Sequence, residues 1–294
     1  MMNAADRFAE RLKSGGMVVA PGAYDCITAR LIAQAGFDAV YMTGAGTAAT
    51  LGFPDYGLVT MSEMTENAGR IADAVDVPVI ADADTAFGNE LNATRTVREY
   101  EKKGVAGIHI EDQEFPKRCG HLDNKVVIPL DDYIAKIRAA VAAKRNPNFT
   151  IIARTDSRAG MGLEEAVRRC NAALEAGAGM AFLEAPQTLD EIAAVPKLVK
   201  GPCLLNLAWA GKTPQVDLAE ADRMGYRLAI LPGVLMAAVI SRCDEVLAEL
   251  RDAGRHPQLD ARMSPGEMFR RMGSADWDPL RDRFRPPSPR IAAE

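Results

Sequence analysis

Aromatic residues make up only 6% of this 294-residue chain, and it carries two tryptophans, three histidines and five cysteines. A core so poor in rings must be built from Ala, Val, Ile and Leu, which the 48% hydrophobic content supplies. The cysteines (Cys26, Cys119, Cys170, Cys203 and Cys243) are widely spaced, odd in number and never paired as CxxC. That excludes a disulfide framework and a structural zinc, and predicts reduced thiols. No stretch approaches the roughly 18 apolar residues of a membrane span, and "MMNAADRFAERLKSGG" lacks the apolar centre of a signal peptide, so a cytoplasmic location is expected. With 35 basic and 40 acidic residues the net charge is −5, and no long basic run exists to neutralise nucleic acid or an anionic membrane. The glycines of "TGAGTAATLG" do not match GxGxxG and have no acidic ribose partner about 20 residues on, which excludes a nicotinamide cofactor.

What is present is a regular alternation. Eight short apolar runs, "MVVAPG" (17–22), "DAVYMTG" (38–44), "VPVIADAD" (77–84), "AGIHIED" (106–112), "TIIARTD" (150–156), "MAFLEAP" (180–186), "PCLLNLA" (202–208) and "RLAILPG" (227–233), are separated by amphipathic helical stretches. Continuous apolar strands between helices indicate a parallel sheet covered by helices, and eight such units close into a (β/α)8 TIM barrel. The helix 234–252 completes a barrel domain of residues 1–252, leaving 253–294 as a C-terminal helical extension. Its anchors Met268, Phe269, Trp277 and Phe284 admit two readings, docking on the same barrel or on a neighbouring subunit. The last ten residues are expected to fray.

Polar residues gather where the runs end, the active face of such a barrel. Asp82 and Asp84, two apart, would face one way on an extended strand. With Glu111 and with Asp55 of "LGFPDYG" they supply only hard oxygen ligands, suited to Mg2+ or Mn2+ and not zinc. A bare DxD also serves as a capped turn or surface pair; a second acidic strand end and Arg154 favour the metal. Arg154 and His121 offer a forked cation and a donor to a carboxylate, and Thr43 and Gly44 a hydroxyl and an N–H. Arg154 could instead only neutralise barrel carboxylates. Cys119 lies among Lys117, Arg118 and His121, a setting that lowers a thiol's pKa, whereas the other cysteines read as small buried hydrophobes. His109 is either a barrel-interior histidine or a group beside the metal, His256 is expected in solvent, and Trp209 to wall a pocket.

"ADADTAFGN", "GIHIEDQEFPKRCGH", "ARTDS", "FLEAP" and "NLAWAGKTP", in that order, resemble the isocitrate lyase and phosphoenolpyruvate mutase superfamily, and the KRCGH loop its carbon–carbon lyase branch. The resemblance implies a (β/α)8 barrel and a homotetramer whose eighth barrel helix is exchanged between subunits. It implies Mg2+ with Asp84 nearest, and Asp55, Asp82 and Glu111 holding metal-bound water. Thr43, Gly44, Ala45 and Arg154 would take the carboxylate of a 2-oxo acid, and Tyr41 would lie near the substrate hydroxyl. Gly120, His121, Glu184 and Asn206 would meet the rest of a dicarboxylate or tricarboxylate substrate, and Cys119 would donate the closing proton. Loop 114–124 would shut over the site. The implied activity is cleavage of a 2-hydroxy acid like 2,3-dimethylmalate or 2-methylisocitrate. The GKTP motif, which resembles that of dimethylmalate lyases and oxaloacetate hydrolases more than that of methylisocitrate lyases, and an apolar wall at Trp209 favour the former. The rivals are an oxaloacetate hydrolase, a phosphonopyruvate or carboxyphosphonoenolpyruvate enzyme acting on a P–C bond, and a catalytically silent metabolite-binding barrel.

Overall fold

The computed structural model describes residues 2–120, 125–257, 260 and 262–284. All eight apolar runs form strands: β1 (Val18–Ala23), β2 (Val40–Met42), β3 (Val79–Asp82), β4 (Gly107–Glu111), β5 (Thr150–Thr155), β6 (Met180–Leu183), β7 (Cys203–Asn206) and β8 (Leu228–Leu231). Each pairs in parallel with its sequence neighbours, and β1 pairs with β8, so the sheet closes as a barrel. The helices of the barrel unit are α1 (Ala4–Lys13), α2 (Cys26–Gln34), α3 (Gly44–Thr50), α4 (Met61–Ala74), α5 (Glu90–Lys102), α6 (Leu130–Ala143), α7 (Arg158–Glu175), α8 (Leu189–Leu198) and α9 (Leu218–Met224).

Strand alternation sorts the side chains. Ile108, Ile110, Ile151 and Ala153 pack outward against the helices, while Ile80, Ile152, Met180, Phe182, Leu204 and Leu228 fill the lumen. Fully buried Phe8 of α1 joins the lumen cluster, and the Arg227 guanidinium donates to the Leu12 carbonyl at the far end of the same helix. α1 therefore closes one mouth with apolar surface. Polar chemistry is confined to the other, where the strands end.

By contacts the chain divides into Met1–Val239 and Ile240–Glu294, a point inside α10 (Val234–Ala253). The second unit holds the rest of α10 with α11 (Pro265–Arg271) and α12 (Ser274–Phe284). No residue of α10 is buried, and the tail anchors Met268, Phe269, Trp277 and Phe284 are all exposed. Residues 285–294, where fraying was expected, fall outside the described residues. No helix among the described residues is long and apolar enough to cross a membrane. None of the five cysteines is in a disulfide; only Cys170 and Cys203 are buried, so the reading of Cys26 and Cys243 as buried hydrophobes is corrected: Cys26 opens α2 half-buried, and Cys243 lies on exposed α10.

If α1 is part of the core and not a cover laid over it, Phe8→Ala should cost about 3–5 kcal/mol in urea unfolding, the range for a buried Phe truncation. A loss within about 0.5 kcal/mol, as for surface changes, would refute that role.

Candidate active site

The Asp82 carboxylate at the end of β3 is held from three sides. Oδ2 accepts from the Gly44 N–H at 3.2 Å and the Tyr41 hydroxyl at 3.3 Å, and Oδ1 from the Asp84 N–H at 2.9 Å. Only glycine fits at position 44, since a Cβ there would lie 2.5 Å from Asp82 Oδ2. Asp84 does reach the same region, but not by strand alternation. β3 stops at Asp82, and Asp84, Ala86 and Phe87 take φ of 45°, 62° and 59°. Such left-handed backbone is strained for residues with a Cβ and persists only where the surroundings fix it. Two buried donors do so: the Tyr100 hydroxyl bonds the Asp82 carbonyl and the Lys136 ammonium the Thr85 carbonyl, each at 2.7 Å.

Asp84 Oδ1 and both carboxylate oxygens of Glu111 are buried without a hydrogen-bond partner. Their contacts are ion pairs, Lys117 Nζ 2.8 Å from Asp84 Oδ1 and Arg154 Nη1 3.1 Å from Glu111 Oε2; Lys117 also pairs with Asp55. Burial, with Asp82 and Asp55 close by, raises Asp84 to about 6 against the pull of Lys117. Burial likewise pushes Glu111 well above the usual carboxylate range, although Arg154 opposes it. Asp82 moves the other way: burial resists its ionisation, yet His109, Lys117 and Arg154 bring it down to about 2. Burial lowers His109 itself to about 4, so it is neutral at pH 7 and the lasting positive charges on Asp82 are the ammonium and the guanidinium.

Arg154 is gripped at two of its three guanidinium nitrogens by Asp156, with Nε 2.9 Å from Oδ2 and Nη2 3.0 Å from Oδ1, and Lys125 braces Asp156 Oδ1 at 2.7 Å. Its guanidinium also lies 5.2 Å from the centre of the Phe182 ring. Gly120 is lodged beside it: a Cβ would fall 2.3 Å from Arg154 Nη2 and 2.6 Å from Glu184 Oε1. Asn206 Nδ2 donates to Glu184 at 3.2 Å. The Gln113 side chain clasps Arg118, accepting from its N–H at 3.0 Å and donating to its carbonyl at 2.8 Å.

These groups enclose a cavity of about 180 Å3 lined by Tyr41, Thr43, Ala45, Asp55, Asp82, Cys119, Gly120, Arg154, Glu184 and Asn206, with Phe182, Ala208, Ile230, Pro232 and Met236 as apolar wall. Asp84, Glu111 and Gly44 adjoin it through the contacts above. Trp209 is corrected: it is 81% exposed and does not line the cavity, because the chain turns outward after β7. His121 lies outside the described residues. His109 is a barrel-interior residue, its Nε2 2.8 Å from the Tyr41 hydroxyl and 3.3 Å from Asp82 Oδ1. Sequence reasoning placed the apolar wall at Trp209 where Phe182, Ile230, Pro232 and Met236 form it, and it missed the partner of Lys117, whose charge goes to Asp84 and Asp55. A count of carboxylates against nearby cations would have flagged that lysine.

Direct ligation by three or more His, Cys, Asp or Glu side chains is not found among the described residues. What the site offers is hard oxygen donors, buried and without hydrogen-bond partners at Asp84 and Glu111. This donor set fits a hard divalent cation, which Asp84, Asp55, Asp82 and Glu111 would hold.

An acidic cluster braced by Lys and Arg at the strand ends of a (β/α)8 barrel, with a loop thiol lining the same cavity, defines the class as a (β/α)8-barrel lyase. The chain belongs to the phosphoenolpyruvate phosphomutase family, whose model matches residues 8–251, within the superfamily shared with isocitrate lyase. It is 48% identical over 232 residues to a 2,3-dimethylmalate lyase of Eubacterium barkeri, covering 79% of this chain and 80% of that one. It is 40% identical over 270 residues to a 2-methylisocitrate lyase of Aeropyrum pernix, covering 92% and 87%. Among solved structures it matches an oxaloacetate acetylhydrolase bound to 3,3-difluorooxalacetate (TM-score 0.92, 37% identity, 96% and 97% covered). It also matches a phosphonopyruvate hydrolase complexed with oxalate and Mg2+ (TM-score 0.87, 32% identity, 96% and 99% covered).

His109 sets a pH dependence. Its pKa is lower folded (about 4) than unfolded (6.5), so the unfolded chain takes up the proton first, and the His109 contribution is present above pH 6.5 and lost as pH falls toward 4. The displacement is worth about 3 kcal/mol. His109→Gln should lose that much less stability than the parent between pH 7.5 and 4; equal losses in chemical denaturation at both pH values would contradict a buried neutral imidazole.

Proposed function

We propose that the protein is a divalent-metal-dependent carbon–carbon lyase. It cleaves a 2-hydroxy dicarboxylate of the 2,3-dimethylmalate kind, with a 2-methylisocitrate-like tricarboxylate as the second candidate, into a 2-oxo acid such as pyruvate and a carboxylic acid. The observation that carries this reading is the single small cavity lined at once by Cys119, by the carboxylates Asp55 and Asp82, and by Arg154.

A bound Mg2+ or Mn2+ would supply Lewis acidity at the substrate's hydroxyl and carboxylate. The protein's own groups do the rest. Thr43, Gly44 and Ala45 at the start of α3, with Arg154, orient the carboxylate that stays with the 2-oxo acid. Tyr41 stands by the hydroxyl, whose proton passes to solvent as the carbonyl forms; solvent returns a proton to the Cys119 thiolate after turnover, so the cycle consumes none. The electron pair of the broken C–C bond leaves with the second fragment, and Cys119 donates a proton to that carbon. Glu184 and Asn206 bind the departing fragment, His121 being the further candidate there. Of the expected loop closure over 114–124, residues 121–124 lie outside the described residues.

The wall of Phe182, Ile230, Pro232 and Met236 supports methyl substituents on the substrate. Arg154 is the one basic residue lining the cavity among the described residues, and Asp156 already grips it, which disfavours a third carboxylate. A second apolar groove of about 220 Å3, lined by Val19, Leu31, Phe37, Leu218, Leu231 and Leu235, runs along β1, β8 and α2. It supports a homo-oligomer, a tetramer by family resemblance, in which an exchanged helix covers it.

Purified protein with Mg2+ should turn over 2,3-dimethylmalate, followed by 2-oxo acid release, faster than 2-methylisocitrate or phosphonopyruvate by the same readout and faster than oxaloacetate followed by acetate release, and EDTA should stop it reversibly. Preferred turnover of oxaloacetate or phosphonopyruvate would favour a hydrolase, and no turnover a silent binding barrel. Cys119→Ser should lower kcat by at least about 100-fold, the lower end for general acid catalysis; a kcat near the parent's would place the proton donor elsewhere. Light scattering should find an oligomer, and a monomer would contradict helix exchange.

A further inference from the structure

The site draws its cations from an unexpected place. Lys117, two residues before Cys119, is nearly fully buried, with its ammonium against Asp55 and 2.8 Å from Asp84 Oδ1, the oxygen best suited to touch a metal. Glu111 and Asp82 add to the negative field around the ammonium. A magnesium ion on that oxygen would sit about 2.0–2.1 Å away. Two cations crowded onto one oxygen repel each other, so the ammonium and the metal compete for it.

We propose that Lys117 is a positioning residue: a resident counter-ion at these carboxylates that gives way to the incoming divalent cation and thereby ties metal occupancy to the placement of Cys119. The linkage runs through short, tightly held chain. Gln113 clasps the N–H and the carbonyl of Arg118, the next residue. Gly120 is wedged against Arg154 and Glu184, with no room for a Cβ. On the other side Gly57, at φ 67°, abuts the Lys117 backbone, where an added Cβ would lie 3.1 Å from its nitrogen. The loop carrying Asp55 therefore packs on the loop carrying Lys117. Movement of the ammonium is felt at Cys119, and an empty metal position need not leave four carboxylates uncompensated. The inference rests on reading Asp84 as a metal carboxylate.

The test uses the full-length protein stripped of metal. Lys117 should resist a lysine-selective acylating reagent, followed by peptide mass spectrometry, and become reactive when Mg2+ saturates the site. In calorimetry Lys117→Met should bind Mg2+ about tenfold more tightly than the parent, within the range usual for coupled sites, and Lys117→Arg should stay near the parent. If Mg2+ binds the parent but Lys117 stays protected, or the Met variant binds no more tightly, the proposal is overturned and the metal reading stands. If the parent binds no Mg2+, both fall. Should Lys117→Met fail to fold, acylation of the parent decides alone.

Discussion

The constraint from which the rest follows is electrostatic: Asp55, Asp82, Asp84 and Glu111 are drawn together at the mouth of an apolar barrel. Carboxylates buried this closely are costly unless positive charge is held against them. Lys117 and Arg154 supply it, and each is fixed by its surroundings, Arg154 by Asp156 and Lys125, Lys117 by Asp55 and Asp84. The Glu111 oxygens, without hydrogen bonds and with only the Arg154 guanidinium 3.1 Å from Oε2, show where that compensation is least complete.

The barrel makes such an arrangement sustainable. One mouth is sealed by Phe8 and the lumen is filled mostly by apolar side chains, so polar groups, His109 and Tyr41 included, gather toward the strand ends. Buried donors from the helix layer, Tyr100, Tyr133 and Lys136, bond the carbonyls of Asp82, Arg154 and Thr85 and hold those ends at fixed height. The packing of the outer layer is thus transmitted to the acidic cluster. A small cavity with charge on one side and Phe182, Ile230, Pro232 and Met236 on the other suits a short, methyl-bearing diacid.

Much of this was legible in the chain. Each of the eight apolar runs became a strand because continuous β-branched and aliphatic stretches between helices have no other stable use than a covered parallel sheet. Polar residues at the ends of those runs pointed to the active face because strand direction in a barrel assigns every such end to one side. The errors have a common origin in loops. Trp209 was assigned to the cavity by its nearness to Asn206, yet one turn beyond β7 sends it into solvent. Asp84 was given strand geometry but occupies a left-handed turn. Lys117 was read with its sequence neighbour Cys119, while its charge is spent across the barrel mouth.

Sequence by itself determined the periodic elements, the closed parallel barrel, and the chemical character of the residues at its rim, because these depend on local hydrophobic pattern and on residue type. Tertiary structure alone decided which cation faces which carboxylate, which oxygens stay without partners, and which apolar side chains line the cavity. Those depend on the ion pair between Asp55 and Lys117 and on residues as far apart as Phe182 and Met236 lining one cavity, and no local pattern encodes the distance between two such side chains.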